Sequence, residues 1–234
     1  MFPSMNSAAR TRFIAMLVAV AGISIAALAG PPRASAAPET YTIDPAHSAV
    51  GFKIRHLFSR VPGRFTKFEG TITLDQSDMT KGAVNVSIDA ASIDTNEPKR
   101  DAHLRSDAFF DVEKHPAITF RSTGVKVVSK DKLQVSGDLT IRGTTKPVIL
   151  EVDVLGFGPA FGGGYRGGFE ARTRVNRQDF GVAWNSVVEG GGTVLGDDVD
   201  ITLNVEAVRD KPKPGGEEKK GSGAVPSPES RPGR

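Results

Sequence analysis

Apolar and polar residues take turns along eight short stretches of this chain, and that period of two constrains its fold more than anything else in the sequence. Val199-Asp200-Ile201-Thr202-Leu203-Asn204-Val205 is the cleanest run. Leu133, Val135, Gly137, Leu139 and Ile141 alternate with Gln134, Ser136, Asp138 and Thr140, and Phe169, Ala171, Thr173 and Val175 with Glu170, Arg172 and Arg174. Successive side chains on a strand point to opposite faces, so each run is a strand with one dry and one wet face. The runs fall at 48–57, 64–74, 83–90, 117–128, 132–142, 147–155, 166–176 and 198–208. Such even spacing predicts an all-β fold: a single eight-stranded antiparallel β-barrel. A closed barrel of eight strands has an interior wide enough for one small ligand.

Turn chemistry separates most of the runs. Val61-Pro62-Gly63 is expected between the first two strands, and Gly143-Thr144-Thr145-Lys146-Pro147 between the fifth and sixth. Two insertions break the rhythm. Residues 94–116 begin with Asp94-Thr95-Asn96-Glu97-Pro98, a helix start with proline in the first turn, so a short helical insertion is expected between strands 3 and 4. Residues 177–197 read as a long loop of the kind that serves function in compact domains.

The ends of the chain are of different material. Arg10 and Arg12, the apolar run from Phe13 to Ala29 and the small residues Ala34-Ser35-Ala36 give residues 1–36 the form of a cleavable export signal. Residues 209–234 are rich in charge, Pro and Gly and are expected to be a disordered tail. Residues 37–208 between them suit one domain with a sizeable core. The expected destination is outside the cytoplasm, periplasmic or secreted. No cysteine is present, so no disulfide framework accompanies export. The basic balance of the whole chain, +3, is a property of its ends. Residues 37–208 hold 20 basic and 23 acidic side chains. A mildly acidic domain has no electrostatic footprint for nucleic acid, so no nucleic-acid partner is expected.

Strand parity places the apolar side chains on an inner face. The expected cavity lining comprises Val50, Phe52, Ile54, Phe68, Ile72, Val86, Ile88, Phe120, Leu139, Val152 and Phe169, with the sole tryptophan, Trp184, reaching the pocket mouth from its loop. Polar residues that could meet a ligand head group are His56, on the cavity-facing phase, together with His103, Arg105 and Arg177. Arg100, Asp101, His103 and Arg105 form the densest polar cluster, which also suits helix capping by Asp101 and a salt bridge. The four histidines lack metal-ligand spacing, and neither a Gly-x-Ser-x-Gly elbow nor a phosphate loop occurs. No metal, cofactor or catalytic residue is therefore expected.

The order of the motifs carries a resemblance. Tyr41-Thr42-Ile43-Asp44-Pro45-Ala46-His47-Ser48 leads, followed by Gly63-Arg64-Phe65-Thr66-Lys67-Phe68-Glu69-Gly70 and Arg100-Asp101-Ala102-His103-Leu104-Arg105-Ser106. Later come Gly137-Asp138-Leu139-Thr140-Ile141-Arg142-Gly143, Asn176-Arg177-Gln178-Asp179-Phe180-Gly181 and Gly196-Asp197-Asp198-Val199. This ordered set, spanning about 41–208, resembles the YceI-like family of exported, lipocalin-like, polyisoprenoid-binding proteins. The resemblance implies a barrel around a long apolar pocket and a non-catalytic role in binding, carrying or sequestering a polyisoprenoid or other long-chain lipid; transient membrane contact is a further partner expectation beside it. Two other readings stand beside it: an enzyme acting on the head group of an isoprenoid or fatty lipid, and a structural barrel whose interior is filled by its own side chains.

Overall fold

A computed structural model describes residues 37–161 and 163–211. The expected signal at 1–36 and nearly all of the expected tail lie outside the described residues. The strands are β1 (Glu39–Ile43), β2 (Ala49–His56), β3 (Ser59–Phe65), β4 (Phe68–Asp75), β5 (Asp78–Asp89), β6 (Ile93–Asp94), β7 (Ala117–Ser129), β8 (Lys132–Ile141), β9 (Thr144–Pro159), β10 (Tyr165–Asn176) and β11 (Leu195–Arg209). One α-helix, α1 (Pro98–Arg105), lies between β6 and β7. Every strand pairing is antiparallel.

Among the described residues, eleven strands make eight staves, because three staves are interrupted. A turn of 3-10 helix at Pro45–His47 divides β1 from β2, Thr66 and Lys67 divide β3 from β4, and a second 3-10 turn at Ala90–Ser92 divides β5 from β6. The barrel closes because β11 pairs with β2 along Leu195–Asn204 and with β1 along Ala207–Arg209. Two of the breaks have a local side-chain cause. The Asp44 carboxylate accepts a hydrogen bond from the Ala46 amide, and Asp89 accepts one from Ala91. The Ser48 hydroxyl then restores what the ladder loses, donating to the Glu206 carbonyl and accepting from the Glu206 amide. Asp210 still pairs with the edge of β1, its amide on the Thr40 carbonyl and its carboxylate on the Thr42 hydroxyl. Hydrogen bonding thus continues to Asp210, two residues past the boundary expected at 208.

Three expectations need correction. The strand Glu39–Ile43 was not foreseen; it is five residues long and ends at the Asp44 break. Val61-Pro62-Gly63 is no turn but the middle of β3, with Pro62 opposite Lys53. Proline is tolerated there because β3 pairs on its other side only at Arg64 and Phe65, so the missing N–H breaks no ladder bond. The real turn is Leu57-Phe58, with Leu57 at φ 48° and its amide bonded to the Val194 carbonyl. Likewise only Arg142 and Gly143, at φ 49° and 73°, connect β8 to β9; Thr144 to Pro147 already belong to the strand. Both turn residues need positive φ in such a two-residue hairpin. Arg142 is held in that conformation by its guanidinium, which donates to the carbonyls of Gly181 and Asp107.

Two aromatic rings of the wall lie directly against glycines of neighbouring strands. A Cβ added to Gly63 would lie 2.2 Å from the Phe52 ring, and one added to Gly137 would lie 2.4 Å from the Phe120 ring. These two rings rest on glycine backbone of neighbouring strands and lie along the wall, which leaves the lumen open.

Candidate functional site

Inside the barrel is a cavity of about 600 Å³, within the ordinary range for ligand pockets. The twelve side chains expected to line it, from Val50 on β2 to Trp184 in the long loop, all stand on its wall. Phe52, Phe68, Val84, Val86 and Ile88 point inward yet remain only half-buried, so the barrel does not fill itself with its own side chains. Strand parity explains the dryness of the wall: the alternate residues Lys53, Arg55, Glu151, Arg172 and Arg174 are exposed on the outer face.

The two ends of the cavity differ. Beyond one end, Tyr41 is fully buried and its ring centroid lies 5.9 Å from that of Phe157, which in turn meets Phe169 edge-on at 5.6 Å. Ile72, Leu74 and Ala207 pack around this stack. The Tyr41 hydroxyl donates to Glu39 at 2.7 Å and accepts from Gln76 at 3.0 Å. Burial, reinforced by the Glu39 carboxylate, pushes the Tyr41 phenol up to about 12.

At the other end lie α1 and the loop from 177 to 194. Among the described residues, the cavity wall has only four exposed members, and they are Lys99, Arg100, His103 and Trp184. These residues reach both lumen and solvent, which makes the end between α1 and the loop the candidate mouth. His103 packs its ring edge-on against Phe109 at 4.9 Å and Trp184 at 5.0 Å, which joins helix to loop. Lys99 and His103 are four residues apart and share one helix face. That spacing was the sequence signal for Lys99, which the reading of the sequence alone passed over.

Several polar residues prove to be structural. Arg177 is buried and lies on the wall, but its guanidinium donates to the carbonyls of Gly196, Val182 and Trp184 and reaches Asp197 at 3.3 Å. It staples the loop to the start of β11, and burial lowers its pKa from the ordinary arginine value. Arg105, expected near a head group, does not reach the cavity; it donates to the carbonyls of Ala91 and Ile93 and ties α1 to β6. Asp101 is not the helix cap. Glu97 holds that position, accepting from the amides of Lys99 and Arg100, while buried Asp101 accepts from the Thr95 amide and hydroxyl. His56 lies on the wall near the mouth, opposite Ser59 and Leu195 on the flanking strands.

Away from the cavity, Asp44, His47 and Glu206 bring three possible metal-ligand atoms within 4.8 Å of one another. The Arg166 guanidinium already bridges the two carboxylates, donating to Asp44 at 2.7 Å and to Glu206, while His47 bonds Asp44 at 2.9 Å. A cation would have to displace that arginine. The cluster works as a clamp that holds the break between β1 and β2 against β10 and β11. Arg166 first, then His47, lowers the Asp44 carboxyl to about 2.

A closed eight-stranded antiparallel barrel around an apolar cavity, with one helix beside its mouth, defines a lipocalin-like ligand-binding class of fold. The YceI-like domain matches residues 41–207, and the chain belongs to that family. It is 41% identical over 180 residues to a UPF0312 protein of Photorhabdus laumondii, covering 76% of this chain and 90% of that one. It is also 41% identical over 183 residues to protein YceI of Escherichia coli O157:H7, covering 76% and 91%. The crystal structure of the Campylobacter jejuni YceI protein superposes with a TM-score of 0.59 at 32% identity, over 72% of this chain and 96% of that one. A polyisoprenoid-binding domain from Saccharophagus degradans, implicated in plant cell wall breakdown, shares the fold with a TM-score of 0.53 at 17% identity, over 73% and 98%.

Proposed function

We propose that this protein binds a long-chain amphiphilic lipid of polyisoprenoid type in its barrel, as a non-catalytic carrier or sequestering protein outside the cytoplasm. The observation that carries the reading is the hollow, apolar-walled lumen of about 600 Å³, open beside α1 and backed by an aromatic stack. Burial of a hydrocarbon chain contributes about 0.8 kcal/mol per methylene, so such a lumen binds a long tail with little polar help. The polyisoprenoid-binding description of the Saccharophagus domain supports the choice of tail. Export is supported by Arg10, Arg12, the apolar run to Ala29 and Ala34-Ser35-Ala36. A brief membrane contact belongs to this reading, because a long alkyl tail has to leave one apolar phase to reach another. Phe58 and Val187, both exposed, are carried on the hairpin and loop that the Leu57–Val194 backbone bond joins.

An enzyme acting on the head group needs a positioned base and an orienting acid. The wall carries His56 and His103 but no Asp or Glu among the described residues, which favours the binding role. Mass spectrometry of lipid extracted from purified, exported protein tests the proposal. A long-chain lipid at near one per chain is expected. Purification free of lipid, with no uptake from added polyisoprenoid, would overturn it. N-terminal sequencing of the exported protein checks the signal, with a start at Ala37 or Pro38 expected.

A further inference from the structure

Every ionisable side chain on the cavity wall is basic. They are His56, Lys99, Arg100, His103 and Arg177, and no Asp or Glu joins them among the described residues. Residues 37–208 contain more acidic than basic side chains, so this wall does not sample the composition of its domain. All five stand at the α1 end, and they are not equally committed. Arg177 gives its donors to the loop carbonyls, and Arg100 gives two to the Thr95 hydroxyl and carbonyl. Lys99 makes no side-chain hydrogen bond or ion pair among the described residues. The nearest acids in sequence are occupied elsewhere: Glu97 caps α1 through backbone amides, and Asp101 is buried against Thr95. An ammonium group without a counter-charge therefore stands where a tail-first ligand would leave its head.

We infer that the ligand carries an anionic head, a phosphate, diphosphate or carboxylate, which Lys99 meets at the mouth while the tail fills the lumen. This rests on the lipid-binding reading and narrows it from amphiphiles in general to anionic ones. A neutral head of the same tail loses the charge contact and keeps the burial, so the two head chemistries separate in affinity. Trp184, the sole tryptophan, lies at the mouth and reports binding directly.

The test titrates the protein, stripped of any bound lipid, with geranylgeranyl diphosphate, geranylgeraniol and inorganic pyrophosphate, following Trp184 fluorescence below the micelle-forming concentration. The diphosphate is expected to bind at least about tenfold more tightly than the alcohol, equivalent to about 1.4 kcal/mol. Lys99→Glu is expected to bring that ratio close to one. Lys130→Glu, in the turn at the opposite end of the barrel, changes net charge equally and should keep the ratio. Equal binding of diphosphate and alcohol, or a ratio indifferent to Lys99→Glu, overturns the anionic head and leaves the lipid cavity standing. Pyrophosphate binding as tightly as the tailed diphosphate overturns it too, since a free anion would then be the ligand. If neither tailed probe binds, the cavity reading and this inference fall together.

Discussion

The two ends of the barrel are built from the same staves and finished by opposite means. One is packed with side chains: Tyr41, Phe157 and Phe169 meet there in tilted and edge-on contacts, and the Asp44–Arg166–Glu206 clamp fixes the broken stave beside them. The other is finished by main chain, a helix and a loop held in place by arginines that donate to backbone carbonyls. Arg177 gathers the loop, Arg105 anchors α1, and Arg142 ties the β8–β9 turn to Gly181 and Asp107. A seal of packed rings resists opening because moving any ring forfeits contact area. A rim of backbone held by a few charge-assisted bonds leaves a gap that exposed side chains frame. The difference concentrates ring packing at one end and exposed wall residues at the other.

The largest effect is expected from removing the ring packing at the closed end. Tyr41→Ala is expected to cost about 3–5 kcal/mol, the usual range for deleting a buried aromatic side chain. Urea unfolding measures it; a loss below about 1 kcal/mol would mean that the stack does not hold that end. At the mouth, Arg177→Met strands the carbonyls of Val182, Trp184 and Gly196, with an expected cost of about 2–3 kcal/mol, and hydrogen exchange over 182–195 should accelerate while 39–43 stays protected. Faster exchange at both ends alike would show that the ends are not independent.

Acid and base should both act on the sealed end. Asp44 is held at about 2, well below an ordinary carboxylate, so its contribution is present above about pH 4 and fades as the pH falls toward 2. Tyr41 is raised to about 12, so its contribution is complete below about pH 10 and fades as the pH rises through 12. Thermal midpoints across pH 2–12 are expected to fall at both limits, and Asp44→Asn should flatten the acid limb. An unchanged acid limb in that variant would remove Asp44 from the clamp. Trp184→Ala is the mildest change, expected to cost about 1–2 kcal/mol through lost ring contacts with His103 and Phe109 while speeding ligand release. Stopped-flow dissociation of a fluorescent lipid reads the release rate, and an unaltered rate would place the gate elsewhere.

The barrel was largely legible in the sequence because alternation is a direct trace of a one-sided dry wall. Stretches such as 132–142 and 198–208 coincide closely with β8 and β11, since alternation there runs unbroken from end to end. The first stave was harder. Leu57-Phe58 carries no turn chemistry, and the turn exists because the Leu57 amide bonds Val194, far along the chain. Pro62 reads as a turn residue and is accommodated by a largely unpaired strand edge that only the topology reveals. In the site, parity found the apolar wall, because facing is a local property of a strand. It could not separate a free cation from a committed one. Arg105 and Arg177 look as available as Lys99 until the carbonyls that accept from them come into view.

Replacing Val86, an inward residue of β5, with tryptophan asks most directly whether a long tail occupies the lumen. Native mass spectrometry gives lipid per chain, and circular dichroism checks that the barrel still forms. Near one lipid per wild-type chain is expected, with a severalfold loss in Val86→Trp at unchanged strand content. Wild-type stoichiometry of the same lipid in a folded Val86→Trp protein would contradict occupancy of the lumen, because the ligand would then sit outside the barrel.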